Sequence, residues 1–169
     1  MEDILIVDGY NMINSWPELV TLRSESYAHA RDKLLEILQD YQGLANVKVI
    51  IVYDAHLVKG GMQRQEKIGG VQVIFSGEGE TADMIIERLA DQLTSKFGVA
   101  VATSDWAEQQ LVIQRGAARI SARELLEKIN NYRINSRKYY RENTKIGQTL
   151  DARIEAKVRD TLEKWRRKR

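Results

Sequence analysis

The sequence predicts an α/β protein built on a central parallel sheet with helices on both faces, and three observations carry that expectation. Short apolar runs alternate with segments of helical period, the pattern of strand–helix–strand units whose strands lie parallel. The first run, Ile4-Leu5-Ile6-Val7, is continuous rather than alternating, as a strand buried on both faces requires. Aspartates stand at or beyond the ends of successive strands: Asp8, Asp54, Asp83 and Asp105. Residues just past the carboxyl ends of parallel strands converge on one crevice.

The elements follow in order. Ile4–Val7 is the first strand and ends at Asp8; Pro17 falls in the loop behind it. From about Glu25 to Tyr41 the residues Ala30, Leu34, Leu35, Leu38 and Tyr41 recur at helical spacing, with Gly43 as a stop and His29 on the surface. Val47–Tyr53 is the second strand, closed by Asp54. Residues 55–70 hold Gly60, Gly61, Gly69 and Gly70 around Arg64 and Lys67, which reads as an exposed loop or a short broken helix. Val71–Phe75 is the third strand, and residues 76–80 form a tight loop. Thr81 caps a helix to about Phe97, with Ile85, Leu89, Leu93 and Phe97 as its core stripe. Val99–Thr103 is the fourth strand, and Asp105 starts a helix to about Gln114. Ala117–Ile120 is a short fifth strand. Ser121 and Glu124 make a capping box that opens a helix to Asn130. Residues 131–148 read as polar and irregular, followed by a charged helix over about 150–167. The expected organisation is a catalytic domain over 1–130 and a basic helical extension over 131–169 packed on it.

Composition narrows the chemistry. A chain of 169 residues with 43% hydrophobic content suffices for one domain with a proper core. It has no cysteine, which excludes disulfides, thiolate zinc sites and cysteine nucleophiles and fits a reducing compartment. Met1-Glu2-Asp3 is acidic and runs straight into a strand, unlike a signal peptide, and no apolar run approaches a membrane span; the expected location is the cytoplasm. Residues 131–169 hold 13 Lys and Arg against 5 Asp and Glu, a net of +8, leaving −6 on the remainder. An acidic body with a basic tail suits a polyanion partner, although a solvated helix explains any single charge run.

Crowded carboxylates repel one another and resist ionising, and a hard cation such as Mg²⁺ or Mn²⁺ relieves that penalty through oxygen ligands. Asp8, Asp83, Asp105 and Asp54 are the candidate ligands. Asn11, three residues after Asp8, faces the same crevice if a helical turn follows; an Asx turn is the plain alternative. Asp83 and Asp105 also suit the helix dipole, and Thr81, Thr103 and Ser104 suit caps. Asp54 precedes Ala55-His56, where a turn role competes. Glu78 and Glu80 read as solvated, and Glu108, one turn after Asp105, has the spacing to point inward. His56 is a proton shuttle, a phosphate contact or neither. No Walker A, Gly-x-Gly-x-x-Gly or Gly-x-Ser-x-Gly pattern is present. Acidic metal sites suit phosphodiester hydrolysis, in which a cation activates water and neutralises developing charge. Such a site needs cations nearby to hold a phosphate backbone. The loop offers Lys59, Arg64 and Lys67, and the tail offers Arg133, Arg137, Lys138 and Arg141 interleaved with Tyr132, Tyr139 and Tyr140. Each tyrosine is expected to pack the tail, and the arginines to contact RNA.

Asp8-Gly9-Tyr10-Asn11, Glu80-Thr81-Ala82-Asp83 and Thr103-Ser104-Asp105 resemble the three acidic motifs of NYN domains in the PIN-like nuclease superfamily. Tyr53-Asp54-Ala55-His56 with Val58-Lys59-Gly60-Gly61 narrows the resemblance to the bacterial YacP-type family. It implies a three-layer PIN-like fold and a metal-dependent endoribonuclease with Asp8, Asn11, Asp83 and Asp105 in its site and Asp54 as an addition. It also implies association with the ribosome and cleavage of messenger RNA. One departure stands out: many NYN domains carry an aspartate two residues after the third motif's aspartate, where this chain has Ala107. A fourth acid must come from Asp54 or elsewhere, or the site holds one tight metal. Two other readings remain open on the sequence. One is a non-catalytic RNA- or ribosome-binding module with a vestigial acidic pocket. The other is a metal phosphohydrolase of small substrates, which leaves the tail without a purpose.

Overall fold

The computed structural model describes residues 3–55 and 63–167. Their elements run β1 (Ile4–Asp8), α1 (Gly9–Ser15), α2 (Pro17–Glu25), α3 (Tyr27–Ala45), β2 (Lys48–Tyr53), β3 (Arg64–Ile68), β4 (Val71–Phe75), α4 (Ala82–Leu93), β5 (Val99–Ala102), α5 (Trp106–Gln114), β6 (Ala118–Ile120) and α6 (Ala122–Arg167). The chain divides into two compact units, Met1–Asn130 and Asn131–Arg169. The sheet order is β3-β4-β2-β1-β5-β6. All neighbours pair parallel except β3, which runs antiparallel to β4. The sheet grows from β1 through β2 to β4, then returns across β1 to β5. The crevice between β1 and β5 is therefore a topological switch point, where open α/β sheets place ligands.

Strand residues alternate between two apolar layers, which explains the continuous runs. Leu5, Val7, Ile51, Tyr53, Val73 and Phe75 face α1–α3 and the start of α6, where Leu34, Leu38, Leu125 and Ile129 are buried. Ile4, Ile6, Ile50, Val52, Ile74 and Val101 face α4 and α5 through Ile85, Ile86, Ala90 and Val112. Each fully buried side chain of this size contributes about 1.5–3 kcal/mol, so the double-sided sheet is the main source of stability. Gly9 is where the packing is tightest. A Cβ there would overlap the ring of Tyr53, itself 2% exposed. Gly9→Ala is expected to cost about 1–3 kcal/mol, as overpacking does, read as a lower denaturation midpoint at unchanged m-value.

The expected parallel strands and flanking helices are present, with four local corrections. Two helices, α1 and α2, occupy the stretch before α3; Pro17 is the first residue of α2 rather than a loop residue, where its missing N–H costs nothing. The segment expected as a loop or broken helix contains β3, joined to β4 by Gly69 and Gly70, whose φ of +55° and +86° suit a tight hairpin. Phe97 lies beyond α4 and is 46% exposed, so the stripe there is Ile85, Leu89 and Leu93. The helix opened by Ser121 does not end at Asn130 but continues to Arg167, so residues 131–148 are helical. Its capping box forms as expected, with Glu124 N–H donating to Ser121 Oγ at 3.1 Å and Ser121 N–H to Glu124 Oε2 at 2.7 Å. Among the described residues no helix is long and apolar enough to cross a membrane.

Candidate metal centre

Three chain corners meet at the carboxyl edge of the sheet. At the end of β1, Asp8 caps α1, its Oδ1 accepting from Asn11 N–H at 3.3 Å. The Asn11 side chain accepts in turn from Ser104 N–H at 2.8 Å, tying the β1 corner to the β5 corner. There Asp105 caps α5: its Oδ1 accepts from Ala107 N–H at 2.9 Å and Glu108 N–H at 3.3 Å, while its own N–H donates to Thr103 Oγ1. Gln109 Nε2 donates to Thr103 O at 2.6 Å and fixes the same loop from beneath. On the third corner Thr81 caps α4, accepting from Met84 N–H, and places Asp83 in the first helical turn.

These caps bring Asp8, Asp83 and Glu108 together, with one carboxylate oxygen of each lying within 4.8 Å of the others. Glu108 is 4% exposed, and among the described residues neither of its carboxylate oxygens has a partner in good hydrogen-bond geometry, although the Thr103 hydroxyl and the Asp8 carboxyl lie close by. Burial first, and then the Asp8 charge, push the Glu108 carboxyl up to about 9. Burial raises Asp8 to about 6, against the Asn11 N–H that lowers it, and desolvation with the Asp105 charge raises Asp83. Among the described residues no lysine or arginine pairs with any of the three acids. Three acids crowded with no counter-cation among the described residues put oxygen ligands in place for a hard divalent ion, and the Glu108 oxygens are the group it would satisfy.

Asp105 and Asp54 are outside the three-acid set, but their charges reach it: both raise Asp83, and Asp105 also raises Asp8. Glu80 pairs with Arg88 at 2.8 Å rather than standing free in solvent, and Glu78 is exposed. His56 and Lys59 lie outside the described residues. Arg64 sits over the Phe75 ring at 4.5 Å and pairs with Glu66, and Lys67 is exposed on the same strand. In the second unit Ile134, Arg137, Lys138, Arg141 and Glu142 line a groove of about 400 Å³. Arg133 is half-buried. Tyr139 and Tyr140 are 65% and 68% exposed, so they do not provide the packing expected of them. Glu108 is the main addition. Its signal is its position three residues after an N-cap at a strand end, and it supplies the acid that Ala107 does not.

The sequence matches the family model described as YacP-like NYN domain over residues 5–167. It is 42% identical over 166 residues to a Bacillus subtilis (strain 168) protein described as uncharacterized protein YacP, covering 98% of this chain and 97% of that one. The fold is similar to the crystal structure of Rae1 (YacP) from Bacillus subtilis, with a TM-score of 0.71 and 43% identity over 98% of this chain and 95% of that chain. A crystal structure of a mutant of the same Bacillus subtilis protein gives a TM-score of 0.71 and 41% identity over 84% of this chain and 83% of that one.

Proposed function

Since the chain belongs to the YacP-like NYN domain family, a PIN-like nuclease family, we propose that it is a metal-dependent endoribonuclease that cleaves messenger RNA in association with the ribosome, in the cytoplasm. The observation that carries this reading is the close trio of Asp8, Asp83 and Glu108, with both oxygens of the buried Glu108 left without a partner in good hydrogen-bond geometry among the described residues. These residues would hold Mg²⁺ or Mn²⁺, with Asp105 and Asp54 adding negative charge at its edge. When bound, the cation lowers the pKa of water and neutralises charge on a phosphodiester. The chain's own residues do the positioning. Asn11 holds the β1 and β5 corners in register, and Asp105 fixes the first turn of α5 and so aims Glu108. Lys59, Arg64 and Lys67, with Arg133, Arg137, Lys138 and Arg141 of the extension, would grip the phosphate backbone. In this reading residues 1–130 form the catalytic domain and residues 131–169 the RNA- or ribosome-binding extension.

Cleavage of a translated message, with and without ribosomes, in Mg²⁺ and then in EDTA, tests both parts. The expected result is cuts with 5′-phosphate ends that need Mg²⁺ and ribosomes together. Cuts of equal efficiency on naked RNA would remove the ribosome from the proposal, and cuts that persist in EDTA would remove the metal. The absence of cuts under every condition, with ribosome binding intact, would leave the non-catalytic module. That alternative rests on a missing fourth acid, and Glu108 supplies one.

A further inference from the structure

Trp106 is 72% exposed, the most exposed large hydrophobic side chain among the described residues. Trp16 behaves differently. It is 2% exposed and its Nε1 donates to Ala122 O at 2.8 Å, as an indole that stabilises a fold should. Among the described residues Trp106 makes no hydrogen bond, ring contact or cation–π contact. It is the first residue of α5, directly after Asp105 and two residues before Glu108. Helical side chains lean back toward the N-terminus, which for α5 is the carboxyl edge of the sheet where Asp8 and Asp83 stand. The backbone beneath it is held by the Asp105 cap, so the indole rides on the same rigid turn that places Glu108. The neighbouring helix repeats the arrangement: Met84 follows Asp83 and is 49% exposed.

An acidic crevice suited to a cation thus carries a flat apolar face at its edge. A substrate that matches both has an anionic backbone for the cation and a planar π-face for the indole. We propose that Trp106 stacks an unpaired nucleobase beside the scissile phosphate, so that the RNA must be single-stranded at the cut. This rests on the nuclease reading for the word scissile, but the stacking itself is a binding property and is measured separately. A paired base has its faces covered by its neighbours and offers the indole nothing, whereas an unpaired base of any identity presents a free π-face.

The test uses the full chain and a short oligouridylate at low salt. Tryptophan fluorescence is titrated with the oligonucleotide in the Asp83→Asn background, which prevents turnover. Quenching is expected, absent in Trp106→Phe and absent with fully paired RNA of the same length. Trp106→Ala should weaken oligonucleotide binding by about tenfold or more, while Trp106→Phe restores most of it. Both variants should melt as the parent does, because the side chain stands mostly in solvent. In turnover of a ribosome-bound message in Mg²⁺, an abasic nucleotide flanking the cut should raise KM by the same factor as Trp106→Ala, and the two changes together should add little. No quenching, or equal binding by Trp106→Ala, overturns the proposal and leaves Trp106 as a protein-contact residue. Quenching and weakened binding, with no cleavage by wild type of a ribosome-bound message in Mg²⁺, would overturn the nuclease reading and keep the stacking.

Discussion

Asp83→Asn should lower metal-dependent cleavage by about 10³-fold or more, the scale on which one member of a catalytic unit acts, while the fold stays intact. The substitution keeps shape and removes one of the three carboxyl groups that define the centre. Its structural cost is small for two reasons. Asp83 is exposed in the first turn of α4, so the lost dipole interaction is worth only about 0.3–1 kcal/mol. Desolvation and the charge of Asp105 already raise its pKa, so removing its charge relieves repulsion that offsets the loss. Cleavage rate and melting temperature measured on one preparation separate the two effects. Full activity in this variant would remove Asp83 from the site.

Glu108→Gln should separate metal binding from stability in the opposite sense. Glu108, Asp8 and Asp83 all have pKa values raised by folding, so between their unfolded values and their folded ones the native state binds more protons than the unfolded state. Stability in EDTA is therefore highest at low pH within this window and falls as pH rises from about 5 to about 9. Mg²⁺ or Mn²⁺ should reverse the fall, because the ion binds the deprotonated acids of the native state, adding about 2.7 kcal/mol at a hundredfold excess over Kd. Glutamine is neutral without taking up a proton on folding, as Glu108 must at pH 8, so the variant in EDTA at that pH should gain about 1–3 kcal/mol over wild type. At this chain length that is a rise of about 2–4 °C per kcal/mol, and the metal-induced rise should disappear. Thermal melts at pH 5, 7 and 9 with and without the ion decide it. A variant that tracks wild type in both conditions would place the metal elsewhere.

What is legible in the sequence follows from where its residues are buried. β1, β2, β4 and β5 are enclosed on both faces, so their apolar runs are unmistakable, and the acids at their ends follow from the parallel-sheet rule. The strand order has no such signal, because it depends on which strand the chain returns to after β4. All five residues of β3 are exposed, so the edge strand has no apolar alternation to read. The tail helix is polar over 131–148, and periodicity registers only apolar residues. Asp8, Asn11, Asp83 and Asp105 are visible as motifs. Glu108 shows in the sequence only as a residue with suitable spacing, because its burial is created by the Thr103 loop and the Asp8 corner, which come from distant parts of the chain.

That distance has a kinetic meaning. Asn11 meets Ser104 across 93 residues, and Trp16 meets Ala122 across 106. Ser104 Oγ also accepts from Ala122 N–H, so the two ties share one corner. None of this can close until the chain beyond β5 has been made, and contacts of such long range form late and slowly. A nascent chain that has only reached α4 already holds Asp8 and Asp83 but not the residue that completes the set. On the nuclease reading, an enzyme that attacks RNA is thereby kept inert until α5 and the start of α6 have been made.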